Sequence, residues 1–299
     1  MNGFINLLKP PGMSSAQAVF FVKKLIREKV GHAGTLDPEA AGVLPIMVGR
    51  ATKLFDYVAD DDKVYVAEIA FGAQTDTQDA QGVVTKVSVH LPTQEDLMAI
   101  LPKFIGKIAQ VPPQYSAIKR DGERLYDLAR AGRSVSLAPR EVLIRSLRVI
   151  RQVASAGYLM EIHCGKGTYI RTLCEDIGQA LGSRAYMRFL LRNRVGAFTL
   201  DDAYTPEELK EDVEEGAAGG KWMLPLSSAL QHIPRIDVPV RLRKPLINGV
   251  PLSRKDLDGP CEFEEGALAR LYLNNELISI SRVSGDLLKI QTMVQLAPP

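Results

Sequence analysis

Two hydrophobic periods share this chain, and its fold has to satisfy both. Val64–Phe71 alternates closely enough to be a strand with one buried face. Ile170, Leu173, Cys174, Ile177 and Leu181 recur at helical spacing and predict a helix with one apolar stripe. Further strands are predicted over Glu141–Arg151 and Tyr158–Cys164, with an extended pair or a strand over Ala185–Leu200. Helices are predicted over Ser15–Arg27, where Ser14-Ser15-Ala16-Gln17 fits a capping box, and over Thr93–Phe104 with Thr93 as N-cap. Thr205-Pro206-Glu207-Glu208 starts another, with Pro at the first helical position. Mixed strands and helices predict a mixed α/β (α+β) sheet protein.

The 299 residues suit about two domains, at roughly 100–200 residues each. The small, flexible run Glu214–Gly220 precedes a change of character near Arg235. Beyond it come short strands with turns at Asn248-Gly249, Asp258-Gly259 and Ser284-Gly285. Residues 1–235 are therefore read as one domain and 236–299 as a small β-rich one. No apolar run reaches the ~18 residues of a membrane span. The opening residues lack the basic start and apolar core of a signal peptide, so a cytoplasmic location is expected. Cys164, Cys174 and Cys261 form an odd, sparse set that fits a reducing compartment. Without a Cys-x-x-Cys pair or clustered histidines, no metal is expected. Without a Gly-x-Gly-x-x-Gly or Walker-type loop, no nucleotide cofactor is expected either. A net charge of +2 says little about partners, but its distribution says more. Nine Lys or Arg stand against four acids from Ala117 to Arg151, and Arg184, Arg188, Arg192 and Arg194 follow with no acid among them. Such runs suit a phosphate backbone or, more plainly, a solvated face.

Gly31–Gly49, rich in Gly and Pro, reads as a loop leading into apolar structure, and Gly31–Pro45 within it is the most informative stretch. It reads as a loop carrying one carboxylate, Asp37, stiffened by Pro38 and Pro45, with Gly31, Gly34 and Gly42 permitting close backbone approach. A loop carboxylate can act as nucleophile or base. Taken alone, Leu36-Asp37-Pro38 is more often a turn or helix cap.

Four blocks in order resemble the TruB family of tRNA pseudouridine synthases over roughly the first 200 residues. They are Leu8-Lys-Pro-Pro-Gly-Met-Ser-Ser15, His32-Ala-Gly-Thr-Leu-Asp37-Pro with Gly42-Val-Leu-Pro45, Pro112–Lys119 running on to Gly132, and Gly167-Thr-Tyr-Ile-Arg171. Leu191-Arg192-Asn193 departs from the frequent Leu-Arg-Arg and puts one phosphate contact in doubt. The resemblance implies a pseudouridine synthase fold with a central mixed or antiparallel sheet and a small PUA-like C-terminal domain. It implies a cofactor-free isomerase that turns uridine 55 of the tRNA T-loop into pseudouridine, acting as a monomer. Asp37 would be the catalytic carboxylate, Arg171 the cation that keeps it charged, and Tyr65 the aromatic packed on the target base and a proton relay. Tyr169 would line the same pocket if its segment is extended, since residues two apart then share a face. His32 would stack into the space a flipped base leaves. Lys9 and Pro10 would shape the pocket floor, and Leu191 would form an apolar wall. Asp76 would bond RNA or the pocket, or else cap a turn. Lys119, Arg120, Arg124, Arg130 and Arg133, in an RNA-gripping insertion at about 105–140, would meet phosphates. Three rivals stand beside this reading: a guide-RNA-dependent relative, a tRNA-folding chaperone with secondary catalysis, and a glycosidase. The last usually pairs two carboxylates.

Overall fold

The computed structural model describes residues 1–59, 61–113, 137–216, 221–258 and 263–294, with the backbone alone of 119–120 and 123–124. The side chains of Lys119, Arg120 and Arg124, and all of Arg130, Arg133 and Cys261, lie outside the described residues.

The chain opens with β1 (Gly3–Lys9), α1 (Ser15–Ile26), β2 (Val30–His32) and β3 (Ala41–Val48). A 3-10 segment leads to α2 (Phe55–Ala59), β4 (Lys63–Phe71), the hairpin strands β5 (Ala73–Thr75) and β6 (Val84–Val87), and α3 (Gln94–Ile100). Then come β7 (Gly106–Gln110), the short β8 (Lys119–Arg120) and β9 (Glu123–Arg124), β10 (Arg140–Ala154) and β11 (Gly157–Cys164). The first unit ends with α4 (Ile170–Ala180), β12 (Ala185–Val195), β13 (Phe198–Thr199) and α5 (Pro206–Glu214). The second contains β14 (Arg235–Asp237), α6 (Arg243–Ile247), β15 (Leu252–Ser253), β16 (Leu268–Leu273), β17 (Glu276–Ser284) and β18 (Leu287–Met293).

Nine strands form the central sheet, in the order β1-β3-β12-β4-β11-β10-β7, with β2 on β3 and β13 on β12. Every pairing is antiparallel except β3 with β12, where Ala41 and Gly42 run parallel to Leu191 and Arg192. A mixed sheet results, as the alternating periods require. The caps read from sequence are present: Ser14 with Gln17, Thr93 with Asp96, and Thr205 with Glu208 form reciprocal boxes. Helix α4 turns Ile170, Leu173, Cys174 and Ile177 into the core beneath the sheet.

Only residues 33–40 of the expected Gly31–Gly49 loop are loop; β2 and β3 take up its ends. Pro45 sits inside β3 because its carbonyl accepts the Ala33 amide at 3.0 Å. Its ring nitrogen faces that same side, just past the end of β2, where no strand needs a donor. In the second unit, Asn248-Gly249 closes the short helix α6 rather than joining two strands. The β16–β17 hairpin turns on Asn274 and Asn275, both at positive φ, the conformation a tight two-residue hairpin demands.

Apolar side chains fill both faces of the sheet. One core includes Leu7, Leu44, Ile69 and Leu173. The other joins Phe4, Val43, Met47 and Val58 to Tyr272, Leu277, Ile280 and Val294 of the second unit. Tyr57 Oη and Thr292 Oγ1, 2.9 Å apart, tie the same seam. Among the described residues no helix is long and apolar enough to cross a membrane. Leu44 is fully buried in β3, directly behind the loop. Leu44→Ala is expected to destabilise the protein by about 2–5 kcal/mol, seen as a lowered midpoint of chemical denaturation.

Candidate active site

The loop 33–40 has little secondary structure of its own, so its shape comes from groups that reach it from outside. Arg192 of β12, 1% exposed, donates from Nε to Val43 O at 2.8 Å, from Nη1 to Thr35 O at 3.3 Å and from Nη2 to Gly34 O at 3.0 Å. Ser15, at the start of α1, clamps Leu36 twice: Oγ donates to its carbonyl and accepts from its amide, both at 2.9 Å. Lys9, fully buried at the end of β1, donates to Pro38 O at 2.9 Å, Met13 O at 2.6 Å and Pro10 O at 2.9 Å. Gly12 N adds a second donor to Pro38 O. Gly42 is required beside this network: at φ 118° it lies against the Arg192 backbone, which any Cβ there would overlap.

Asp37 projects from this pinned loop toward Arg171, in the first turn of α4. Arg171 Nε lies 3.0 Å from Oδ2, and Nη2 donates to Oδ1 at 3.4 Å. The guanidinium, 6% exposed, also donates from Nη1 to Thr77 O at 3.2 Å and stands 3.7 Å from Asp79 Oδ2. One cation thus serves two carboxylates. Burial pushes the Asp37 carboxyl above its ordinary pKa, and the Arg171 charge opposes this. Asp79 adds to the rise, while Lys9 behind the loop lowers it.

Two cavities meet at Asp37, Arg171 and Leu190. The smaller, about 290 Å³, runs between Tyr65, Tyr169, Arg192 and the Gly165–Thr168 turn. The larger, about 750 Å³, opens beyond Asp37 between Thr77, Asp79, Gln81, Arg188 and Phe189. Tyr65, on β4, is buried, and burial raises its phenol pKa while the nearby Arg192 lowers it.

The structure brings Asp37, Arg171, Tyr65 and Tyr169 together, though Tyr169 arrives by a different route from the one expected. Tyr169 itself is extended, but as the N-cap of α4 it is followed by helical residues, so strand alternation is not what brings it to the side of Arg171. Its backbone is held by Gln110, whose Oε1 accepts its amide at 3.1 Å and whose Nε2 donates to its carbonyl at 3.2 Å. Leu191 needs correction, as do Lys9 and Pro10, and for Asp76 the structure selects the turn cap from its two readings. Leu191 is not in the wall; Leu190 is, because alternate β12 residues face opposite ways and Leu190 shares the Arg192 face. Asp76 caps a turn through Val83 N at 2.8 Å, and Asp79 is the carboxylate that reaches the cavity. Asp79 is aimed there by Thr77 Oγ1 at 2.6 Å and Gln81 N at 3.0 Å. Lys9 and Pro10 lie behind the loop, outside both linings. His32 ends β2, also outside both linings, with Nδ1 buried and no hydrogen-bond partner. Burial lowers its pKa, and the Arg192 charge adds to that. Arg192, read as part of a phosphate-binding run, is instead a buried anchor. Its position among buried residues of β12 carried no sequence signal apart from the helix–strand context.

A carboxylate and its arginine at the junction of two cavities make an arrangement in which an ionised acid can serve as nucleophile or electrostatic partner. Residues 23–170 match the TruB family pseudouridylate synthase (N terminal domain), and residues 171–231 match the tRNA pseudouridylate synthase B C-terminal domain. The tRNA pseudouridine synthase B of Moorella thermoacetica is 43% identical over 291 residues, covering 95% of this chain and 94% of that protein. That of Alkaliphilus oremlandii is 40% identical over 289 residues, covering 96% and 94%. The chain therefore belongs to the TruB family of pseudouridylate synthases. The fold also matches a chain in the crystal structure of a Cbf5-Nop10-Gar1 complex, with a TM-score of 0.77 at 24% identity, covering 98% of this chain and 85% of that one. Both matched family segments end before β14, where the second sheet begins.

Replacing Asp79 removes a negative charge that raises Asp37. Asp79→Asn is expected to lower the Asp37 pKa, read from the carboxyl-carbon titration of labelled protein by NMR. An unchanged or higher value contradicts the charge arrangement described.

Proposed function

We propose that this chain converts uridine 55 in the T-loop of tRNA to pseudouridine, with Asp37 as the catalytic carboxylate. The observation that carries the reading is the Asp37–Arg171 pair at the meeting point of two cavities, in a loop fixed from three sides. The target base leaves its stack and enters the smaller cavity against Tyr65 and Leu190. Asp37 at its mouth then faces the sugar, where an ionised carboxylate stabilises the positive charge that grows at C1′ as the N1 bond breaks. Arg171 keeps the carboxylate ionised against burial. The uracil turns within the cavity and C1′ re-bonds at C5, whose hydrogen then leaves as a proton while N1 takes one up from solvent.

Every group in this scheme comes from one chain, so a monomer suffices, and the isomerisation involves no net oxidation or reduction and calls for no metal. The partner is tRNA, met in the cytoplasm. Splayed loop bases and backbone contacts are the usual basis of such recognition. Lys119, Arg120, Arg124, Arg130 and Arg133 supply phosphate contacts, and His32 fills the space the base vacates. We assign residues 1–235 to catalysis and 236–299 to a PUA-like unit that contacts RNA.

Two measurements test this. Tritium release from a T-arm transcript labelled at uridine C5 is expected from the wild type and lost in Asp37→Asn, with RNA binding retained. Release by the purified chain alone also separates it from a guide-dependent enzyme; binding without release points to a folding aid. Affinity for the transcript is expected to fall steeply between low and moderate salt as counterions are released. A flat response counts against phosphate docking.

A further inference from the structure

An α-helix leaves its first amides without partners inside the helix, and α1, α3 and α5 each answer with a capping box built from their own residues. Helix α4, which carries Arg171, has no such box. Its N-cap is Tyr169, whose side chain makes no capping bond. Thr172, three positions on, turns its hydroxyl to Gln78 Oε1 at 3.0 Å instead. The bond that a box would close to the N-cap amide comes from the sheet. Gln110, the last residue of β7, is 1% exposed. Its side chain grips both backbone groups of Tyr169: Oε1 accepts the amide at 3.1 Å and Nε2 donates to the carbonyl at 3.2 Å. That carbonyl also accepts the Leu173 amide, so Gln110 joins the helical ladder where it begins. The backbone of Gln110 is fixed in turn by its register with Arg140 of β10.

We propose that Gln110 is a positioning residue of the active site: it sets the first turn of α4 against the sheet and so keeps Arg171 on Asp37. The consequence for turnover rests on the isomerase reading above; the consequence for the ion pair does not. The two halves of that pair are referenced to different strands. Asp37 is held through its loop by Lys9 of β1, by Ser15 and by Arg192 of β12. Arg171 takes its place from a helix start tied to β7, at the opposite end of the strand order from β1. The same first turn is also tethered to the hairpin turn that carries Asp79, through Arg171 to Thr77 O and Thr172 to Gln78. When Gln110 is lost, these tethers decide where the turn lies, and Arg171 settles toward Asp79 at the expense of Asp37. The charged groups that face the Asp37 carboxyl are Arg171 on α4, Asp79 in the hairpin turn and Lys9 on β1. A retreat of Arg171 therefore leaves burial and Asp79 acting on Asp37 with less opposition. Gln110 lines neither cavity, so it acts on the substrate through Tyr169 and Arg171 rather than by contact.

Gln110→Met fills nearly the same space without a donor or an acceptor. In the free, labelled variant the carboxyl-carbon titration of Asp37 is expected to lie at higher pH than in the wild type. On the T-arm transcript kcat is expected to fall by about tenfold to a hundredfold, with KM little changed. A raised Asp37 pKa protonates the carboxylate earlier as pH falls, so the acid limb of kcat moves up with it. A glutamine that only stabilised the fold would lower the melting temperature and leave the Asp37 titration and the acid limb where they are. That outcome in a folded variant overturns the inference, as does a loss confined to KM. Gln110→Asn is still polar but one carbon too short to hold both bonds. It carries the same comparison if the methionine variant does not fold, and its Asp37 titration is expected to shift in the same direction. A wild type that releases no tritium from the C5-labelled transcript sinks the isomerase reading and leaves the Asp37 titration to decide this inference by itself.

Discussion

The site depends on the single parallel contact in the sheet. Where β12 meets β3, Arg192 comes to lie beneath the 33–40 loop, and three loop-side carbonyls that no strand pairs gain a charged donor. Buried carbonyls without partners are costly, and a buried guanidinium without acceptors more so. Each therefore accounts for the other. Ser15 and Lys9 complete the arrangement from α1 and β1, so the loop is held by backbone acceptors rather than by its own side chains. Asp37, Thr35 and Glu39 remain directed outward.

This division explains how an acid on a half-buried loop keeps its charge available. The cations behind the loop, Lys9 and Arg192, are occupied by carbonyls, so the Asp37 charge is met chiefly by Arg171. Asp79 competes for the same guanidinium and keeps the pair from being a closed, neutral couple. A carboxylate that shares its counterion is easier to engage with an incoming positive centre than one fully neutralised.

Much of this was legible in the sequence where short-range physics decides. Three capping boxes, the α4 stripe and the β4, β10 and β11 strands follow from local spacing. The family blocks singled out Asp37 and Arg171 and the wider resemblance Tyr65, three residues that line one cavity in the structure. The errors lie where a long-range contact overrides local pattern. Pro45 reads as a loop breaker until the end of β2 explains its missing donor. Leu190 and Leu191 are both apolar, and only strand register says which one faces the cavity. Asp76 and Asp79 sit in one short polar run, and turn geometry alone decides which reaches Arg171. Arg192 looks like any surface arginine until its acceptors, about 150 residues earlier in the chain, are in view.

The sheet order also divides the first unit in time. β1, β2 and β3 form one antiparallel group, and β4, β11, β10 and β7 another, all of them earlier in the chain than β12. β12 then lies between β3 and β4, joining the two groups. During synthesis, facing edges of β3 and β4 stay open until residues 185–195 have left the ribosome, and open edges invite wrong pairing. Arg192 travels on that closing strand. The last strand to join the sheet thus carries one anchor of the loop, and a chain that stalls before it has only the earlier anchors, Ser15 and Lys9 among them, to hold Asp37.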